Sequence, residues 1–195
     1  MMKNKKIKLN KNEELELGLG TLNLIYWFFA YPEIKMTLSG LAKELEISKK
    51  TASKIVTDLA NEKFLTVEQI GKAWRIHCNI QHQYNKTIKI GYNLSNVYIS
   101  GILQEIYKII GSPKSIILFG SYRKGDDIGS SDLDIAVEII GNSDLKIKNI
   151  GNVNLGYRKN VPVNLHIFSR NKIDLNLFAN IANGIVLDGF LEVRP

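Results

Sequence analysis

Two acidic residues stand two apart in the segment Asp132-Leu133-Asp134-Ile135-Ala136-Val137-Glu138. Apolar residues hold the alternate positions Leu133, Ile135 and Val137, so the segment reads as a strand with those three toward a core. Asp132, Asp134 and Glu138 then share the opposite face. Carboxylates at i and i+2 on one strand face can share a divalent cation. Mg²⁺ takes hard oxygen ligands, usually one or two carboxylates completed by water and substrate phosphates. Without a metal the like charges repel, at a cost to folding.

Upstream, Ser115-Ile116-Ile117-Leu118-Phe119 is a continuous apolar run, the pattern of a buried strand. It leads straight into Gly120-Ser121-Tyr122-Arg123-Lys124-Gly125. Glycine lets the backbone approach a ligand closely, and a serine hydroxyl beside N–H groups can hold a phosphate oxygen. Gly120 to Gly125 covers the first part of a P-loop, but Asp126-Asp127 stand where that motif requires Lys-Ser/Thr. The P-loop reading fails.

Leu118-Phe119-Gly120-Ser121 and Asp132-Leu133-Asp134 are separated by ten residues, which include Gly125 and Ser131. That string resembles the DNA polymerase beta-like nucleotidyltransferase superfamily, and most of all the minimal nucleotidyltransferases of bacteria and archaea. The resemblance covers about residues 94–190. It implies that Gly120 and Ser121 grip a nucleoside triphosphate, with Ser131, Arg123 and Lys124 as further nucleotide contacts. It also implies that Asp132 and Asp134 bind Mg²⁺ (or Mn²⁺) and that the substrate is an NTP, ATP first.

The superfamily carries a third carboxylate on a neighbouring strand. The candidate strand is Val161-Pro162-Val163-Asn164-Leu165-His166-Ile167-Phe168. Its alternation turns Val163, Leu165 and Ile167 to the core and leaves Asn164 and His166 on the other face. The resemblance places Asn164 where the family has Asp. An amide offers one neutral oxygen in place of a full negative charge. His166 is a base, a ligand or a structural side chain on the same face.

The first half has a different rhythm. Leu38, Leu41, Ala42 and Leu45 mark one helical face, and Ala52, Ile55, Val56 and Leu59 mark another after the N-cap Ser48. Strand-like segments Leu65–Gln69 and Ala73–Cys78 follow, joined at Gly71-Lys72. With a greasy helix at about 13–31 before them, these elements resemble a winged helix-turn-helix. In such domains the second helix enters the major groove with its N-terminal residues leading. Lys49, Lys50 and Lys54 can neutralise phosphates there, while Ser48, Thr51 and Ser53 can reach base edges. Lys72 and Arg75 suit a wing against the DNA backbone. A solvated helix face or a protein-docking module is the bland alternative. Trp27, Phe28 and Phe29 read as core or dimer contacts. His77 and Cys78, adjacent on a strand, face opposite ways and cannot chelate one metal.

Lys and Arg number 26 against 19 Asp and Glu, a net charge of +7, which favours a polyanionic partner. Five lysines (3, 5, 6, 8 and 11) lie in the first twelve residues. A hydrophobic content of 45% excludes wholesale disorder, and one cysteine excludes a disulfide scaffold. The greasiest stretch, Leu15–Tyr31, is interrupted by Glu16, Gly18, Gly20 and Asn23 and falls short of the about 20 apolar residues of a membrane span. No small-residue cleavage site follows it, so the expectation is a cytoplasmic protein.

The expected fold class is α+β in two domains. Residues 1–12 form a basic tail, 13–82 the winged helix-turn-helix, 83–93 a linker, and 94–195 a small α/β nucleotidyltransferase domain with a mixed sheet. Leu94, Val97, Ile102, Ile106 and Ile110 predict one amphipathic helix ending at Gly111. A helix is expected at 172–183 and a last strand around Phe190–Val193; 141–160 carries no motif. Two functions follow. One is a transferase moving a nucleoside monophosphate to a hydroxyl of a protein, RNA or small molecule, with a helical toxin-like protein as one version of the acceptor. The alternative is a DNA-binding transcriptional regulator whose degenerate domain binds nucleotide without turnover. Partners are thus nucleotide and DNA, with a protein acceptor or a second copy of the chain besides.

Overall fold

The computed structural model describes residues 18–193, so the basic tail, residues 13–17 and the last two residues lie outside the described residues. The chain begins with α1 (Leu19–Ala30), β1 (Met36–Thr37), α2 (Leu38–Glu44) and α3 (Lys49–Asn61). Then come β2 (Leu65–Ile70) and β3 (Ala73–Cys78), which pair with β1 in an antiparallel sheet of order β1-β3-β2. Thr37 and Ser48 open α2 and α3 by accepting from Gly40 N–H and Thr51 N–H, each at 3.0 Å. Ala52, Ile55, Val56 and Leu59 are buried, as their helical spacing predicts, and the last three share a core cluster with Leu24, Ile25 and Phe28.

The second half holds α4 (Ile88–Ile99), α5 (Ile102–Ile110), β4 (Ser115–Phe119), α6 (Gly120–Lys124), β5 (Leu133–Glu138), β6 (Lys146–Leu155), β7 (Arg158–Phe168), α7 (Leu175–Ala182) and β8 (Ile185–Gly189). Its sheet has the order β6-β7-β5-β4-β8 and is mixed: β5 and β7 run parallel, the other neighbours antiparallel. Parallel neighbours need a crossover of a dozen residues or more. The motif-free stretch 141–160 is that crossover, spent mostly on the edge strand β6 and its turn into β7.

Each face of this sheet has its own job. Leu118, Leu133, Ile135, Val137, Val163 and Leu165 bury one face beneath Val97, Ile102 and Ile106 of α4 and α5. On the other face, Ile117, Ala136 and Phe168 are covered around Ile181 of α7. Beyond α7 that same face carries Asp134, Asn164 and His166.

Three local expectations are corrected. The single helix over 94–110 is two helices, because Gly101 adopts a left-handed φ of 79° that only glycine takes at no steric cost. The stretch 83–93, expected as a linker, is a 3₁₀ turn at Gln83–Lys86 followed by the first half of α4. Its polar residues misled because Asn85, Lys89 and Asn93 are buried partners, not solvated spacers. The last strand is β8, antiparallel to β4, since the β-branched Ile185-Val186 pairs well and Gly189, at φ 77°, ends the run before Phe190.

The two halves meet along α4. Tyr26 of α1 stacks on Tyr92 of α4 at 4.6 Å between ring centroids. Tyr31 Oη donates to Tyr157 O at 2.9 Å, and Gly129 N–H donates to Glu33 Oε1 at 2.8 Å. A cleft of about 990 Å³ runs along this seam, walled by Tyr26, Tyr31, Tyr92 and Tyr157. No described helix is long and apolar enough to cross a membrane.

Candidate active site

Phe119 pairs with Asp134 across β4 and β5, and Asp134 pairs with Asn164 across β5 and β7. The strand ends thus bring Gly120, Asp134 and Asn164 side by side, although they lie far apart in the chain. Gly120 has a φ of 73°, and a Cβ on it would meet Asp134 Oδ2 at 2.8 Å. The glycine is required twice, by its backbone conformation and by the carboxylate that lies over it.

Asp132 is exposed and Asp134 half-buried, both on the face opposite the core residues Leu133 and Ile135. Asn164 Nδ2 donates to Asp132 Oδ2 at 3.1 Å. His166 Nε2 lies 3.3 Å from Asp134 Oδ1, with its ring edge-on to Phe119 at 4.9 Å. Each carboxylate therefore has one polar side chain from β7 beside it.

Among the described residues no set of three His, Cys, Asp or Glu side chains gathers as a metal cluster. Two hard carboxylates remain, and that donor set suits a Mg²⁺ whose other positions are filled by water and phosphate. Asp132 and Asp134 would hold it.

Residues 98–182 match the nucleotidyltransferase domain family. The match supports nucleoside-monophosphate transfer as the general chemistry and a nucleotide as the substrate. It runs from the end of α4 to the end of α7 and takes in every nucleotide- and metal-site candidate, leaving the first 97 residues outside. None of the curated proteins compared matches the chain.

Within the matched segment, Ser121 sits half-buried in the first turn of α6. Arg123 and Lys124 occupy the last turn, half-buried and exposed, and among the described residues neither pairs with Asp132 or Asp134. Ser131 Oγ accepts from Ile128 N–H at 2.9 Å, so that hydroxyl closes the turn before Asp132.

Sequence reading missed what holds that turn. Arg158 is buried, donates to Gly129 O and Ser131 O at 2.8 Å each, and also donates to Tyr122 Oη. Lys89 Nζ donates to Asp127 O at 2.6 Å and lies 3.3 Å from Asp127 Oδ2, in a pair that is almost wholly buried. Asn93 Nδ2 adds a bond to Asp127 Oδ1 at 2.7 Å. Burial pushes the Asp127 carboxyl up and the Lys89 ammonium down from their ordinary ranges. Gly125 completes the clamp: at φ 76° it lies so close to Asn85 O that a Cβ would collide with it. The one sequence signal was Asp127 itself, an acid six residues from the start of β5 with no local partner.

The DNA-contact candidates lie on the other half. Lys49, Lys50 and Lys54 are exposed on α3, and Ser53 is half-buried. Ser48 Oγ and Thr51 Oγ1 are 2.8 Å apart and engage each other at the start of that helix. Lys72 is exposed at the β2–β3 turn, and Arg75 lies 3.7 Å from Glu68 on the adjoining strand.

Proposed function

We propose that the chain is a Mg²⁺-dependent nucleotidyltransferase that moves a nucleoside monophosphate from an NTP, ATP first, to a hydroxyl acceptor. The observation that carries the reading is the convergence of Asp132 and Asp134 with the Gly120-Ser121 turn. Bound Mg²⁺ supplies charge neutralisation at the transferred phosphoryl group. Asp132 and Asp134 hold the ion from one strand face, and Gly120 keeps the backbone bare beside them. Arg158 and the Lys89–Asp127 pair fix the turn that delivers Asp132.

Calorimetry of ATP with and without Mg²⁺ tests this. Wild type should bind ATP only with the cation, and Asp132→Ala plus Asp134→Ala should abolish binding. Equal affinity in the two proteins rejects the site.

A second reading, nucleotide binding without turnover, is favoured by one observation: the third position is Asn164, whose amide NH₂ rests on Asp132. Labelled ATP offered to the protein with candidate acceptors separates the readings. Transfer of label supports the enzyme; tight binding with no transfer supports the regulator.

The first half is proposed as a winged helix-turn-helix, with α3 as the recognition helix and β2–β3 as the wing. The exposed Lys49, Lys50 and Lys54 at the front of α3 support it, as does Lys72 at the hairpin tip. Each phosphate contact contributes roughly 0.9 to the slope of log affinity against log salt. Replacing Lys49, Lys50 and Lys54 with Ala should lower that slope by roughly 2–3. An unchanged slope places any DNA surface elsewhere.

A further inference from the structure

We infer that Asn149 is a positioning residue: it turns the Asn164 amide so that the NH₂ group clasps Asp132 and the amide oxygen is kept off the cation site. The inference rests on reading Asp132 and Asp134 as the cation ligands. It concerns a residue that no sequence motif marks, on the edge strand β6.

The argument is one of hydrogen-bond direction. Gly151 N–H can only donate, and it reaches Asn149 Oδ1 at 3.0 Å. That contact fixes which end of the Asn149 amide is oxygen. Asn149 Nδ2 is then the end that faces Asn164, and it donates to Asn164 Oδ1 at 3.2 Å. With its oxygen so occupied, Asn164 has only Nδ2 to offer Asp132, and it does so at 3.1 Å. An ionised carboxylate is acceptor-only, so the far end of the chain demands the same direction as the near end. A backbone donor at one end and a carboxylate at the other leave neither amide free to flip.

The backbone is built for this. Asn149 stands directly across from Asn164 in the β6–β7 register. The register then shifts between Asn149 and Asn152, and Gly151 in that bulge has a φ of 109°, a conformation that favours glycine. The bulge is what brings Gly151 N–H back onto its neighbour's side chain. A regular strand would have spent that N–H on the ladder or on solvent.

The consequence is a division of labour at the third position. Asn164 orients Asp132 and is not itself a ligand, so among the described residues the cation is offered the carboxylates of Asp132 and Asp134. Groups that orient ligands typically change metal affinity 10–100-fold when altered.

The test uses Asn149→Asp in the full-length protein. The new carboxylate still accepts from Gly151 N–H but cannot donate to Asn164. Asn164 then stands between two acceptor-only carboxylates and is free to flip, and a bound cation draws its oxygen to the Asp132 side while its NH₂ turns to position 149. Mn²⁺ titrated alone, followed by electron paramagnetic resonance, should bind about tenfold tighter than in wild type. In an Asn164→Ala background the same substitution should gain less than about twofold. An equal gain in both backgrounds is a bulk charge effect and overturns the inference, as does no gain in either. A second measurement does not involve metal. In chelator, urea unfolding of Asn149→Ala, Asn164→Ala and the double variant should be non-additive, the second substitution costing less than about half of what it costs alone. Additive costs overturn the relay. If wild type binds no Mn²⁺ while the cycle remains non-additive, the relay stands and the cation reading falls.

Discussion

The side-chain amide of Asn164 donates to Asp132 Oδ2 across 3.1 Å, while Asp134 lies opposite Asn164 in the parallel register of β5 and β7. The amide thus neutralises part of the repulsion between two carboxylates on one strand face. It does so without adding a third negative charge. The arrangement offsets part of the cost of placing the two carboxylates on one strand face, and it makes Asn164 the position at which the chemistry can be tuned.

Asn164→Asp changes one atom type and almost no shape. The new carboxylate can still accept from Asn149 Nδ2, but it meets Asp132 oxygen to oxygen. The variant should be less stable than wild type in chelator and recover on adding Mg²⁺, since a ligand of the folded state alone stabilises it. Labelled transfer from ATP should rise, because general-base help is typically worth roughly 10²–10⁴ in rate. Robust wild-type transfer that the substitution leaves untouched would instead assign the base role elsewhere, with His166 the nearest group.

Lys89→Met probes the clamp behind the site. It strips Asp127 of its buried counter-charge while keeping the unbranched apolar stem of the side chain to within one atom of its length. Breaking one half of a buried ion pair costs roughly 3–5 kcal/mol. Urea denaturation should show a loss of that size, and Asp127→Asn added to Lys89→Met should recover part of it by removing the stranded charge. A loss under about 1 kcal/mol would mean that Asn93 alone satisfies Asp127.

Cys78 gives a pH signature. Burial pushes its thiol up to about 11 from an ordinary 9.0, against the opposing hydrogen bond from Asn85. Between those values the folded protein holds a proton that the unfolded chain has released. The contribution is therefore whole below pH 9 and is lost as pH rises toward 11, in all by about 2–3 kcal/mol. Unfolding wild type and Cys78→Ala side by side at pH 8 to 11 should show their stability difference shrinking by that amount. Parallel curves would show that the thiol does not titrate across this window.

Legibility followed the range of the interaction. Strand alternation alone put Asp132 and Asp134 on the face away from Leu133, Ile135 and Val137, and the structure has them there. The same holds for Asn164 and His166 against Val163 and Leu165, and for the buried stripe of α3. These are local patterns of period 2 and 3.6, set by backbone geometry, and a sequence displays them directly.

The polar residues of 83–93 and the stretch 141–160 were not legible, for one reason. A buried Lys89, Asn93 or Arg158 looks like any surface residue until its partner is known, and each partner lies tens of residues away. Asn149 is harder still, because its role depends on a bulge at Gly151 and on β6 crossing to the outer edge of the sheet. By itself, the sequence determined which faces the catalytic candidates share. Only the tertiary structure decided which side chains hold them and which way the Asn164 amide points, because hydrogen bonds between distant strands leave no periodic trace in the chain.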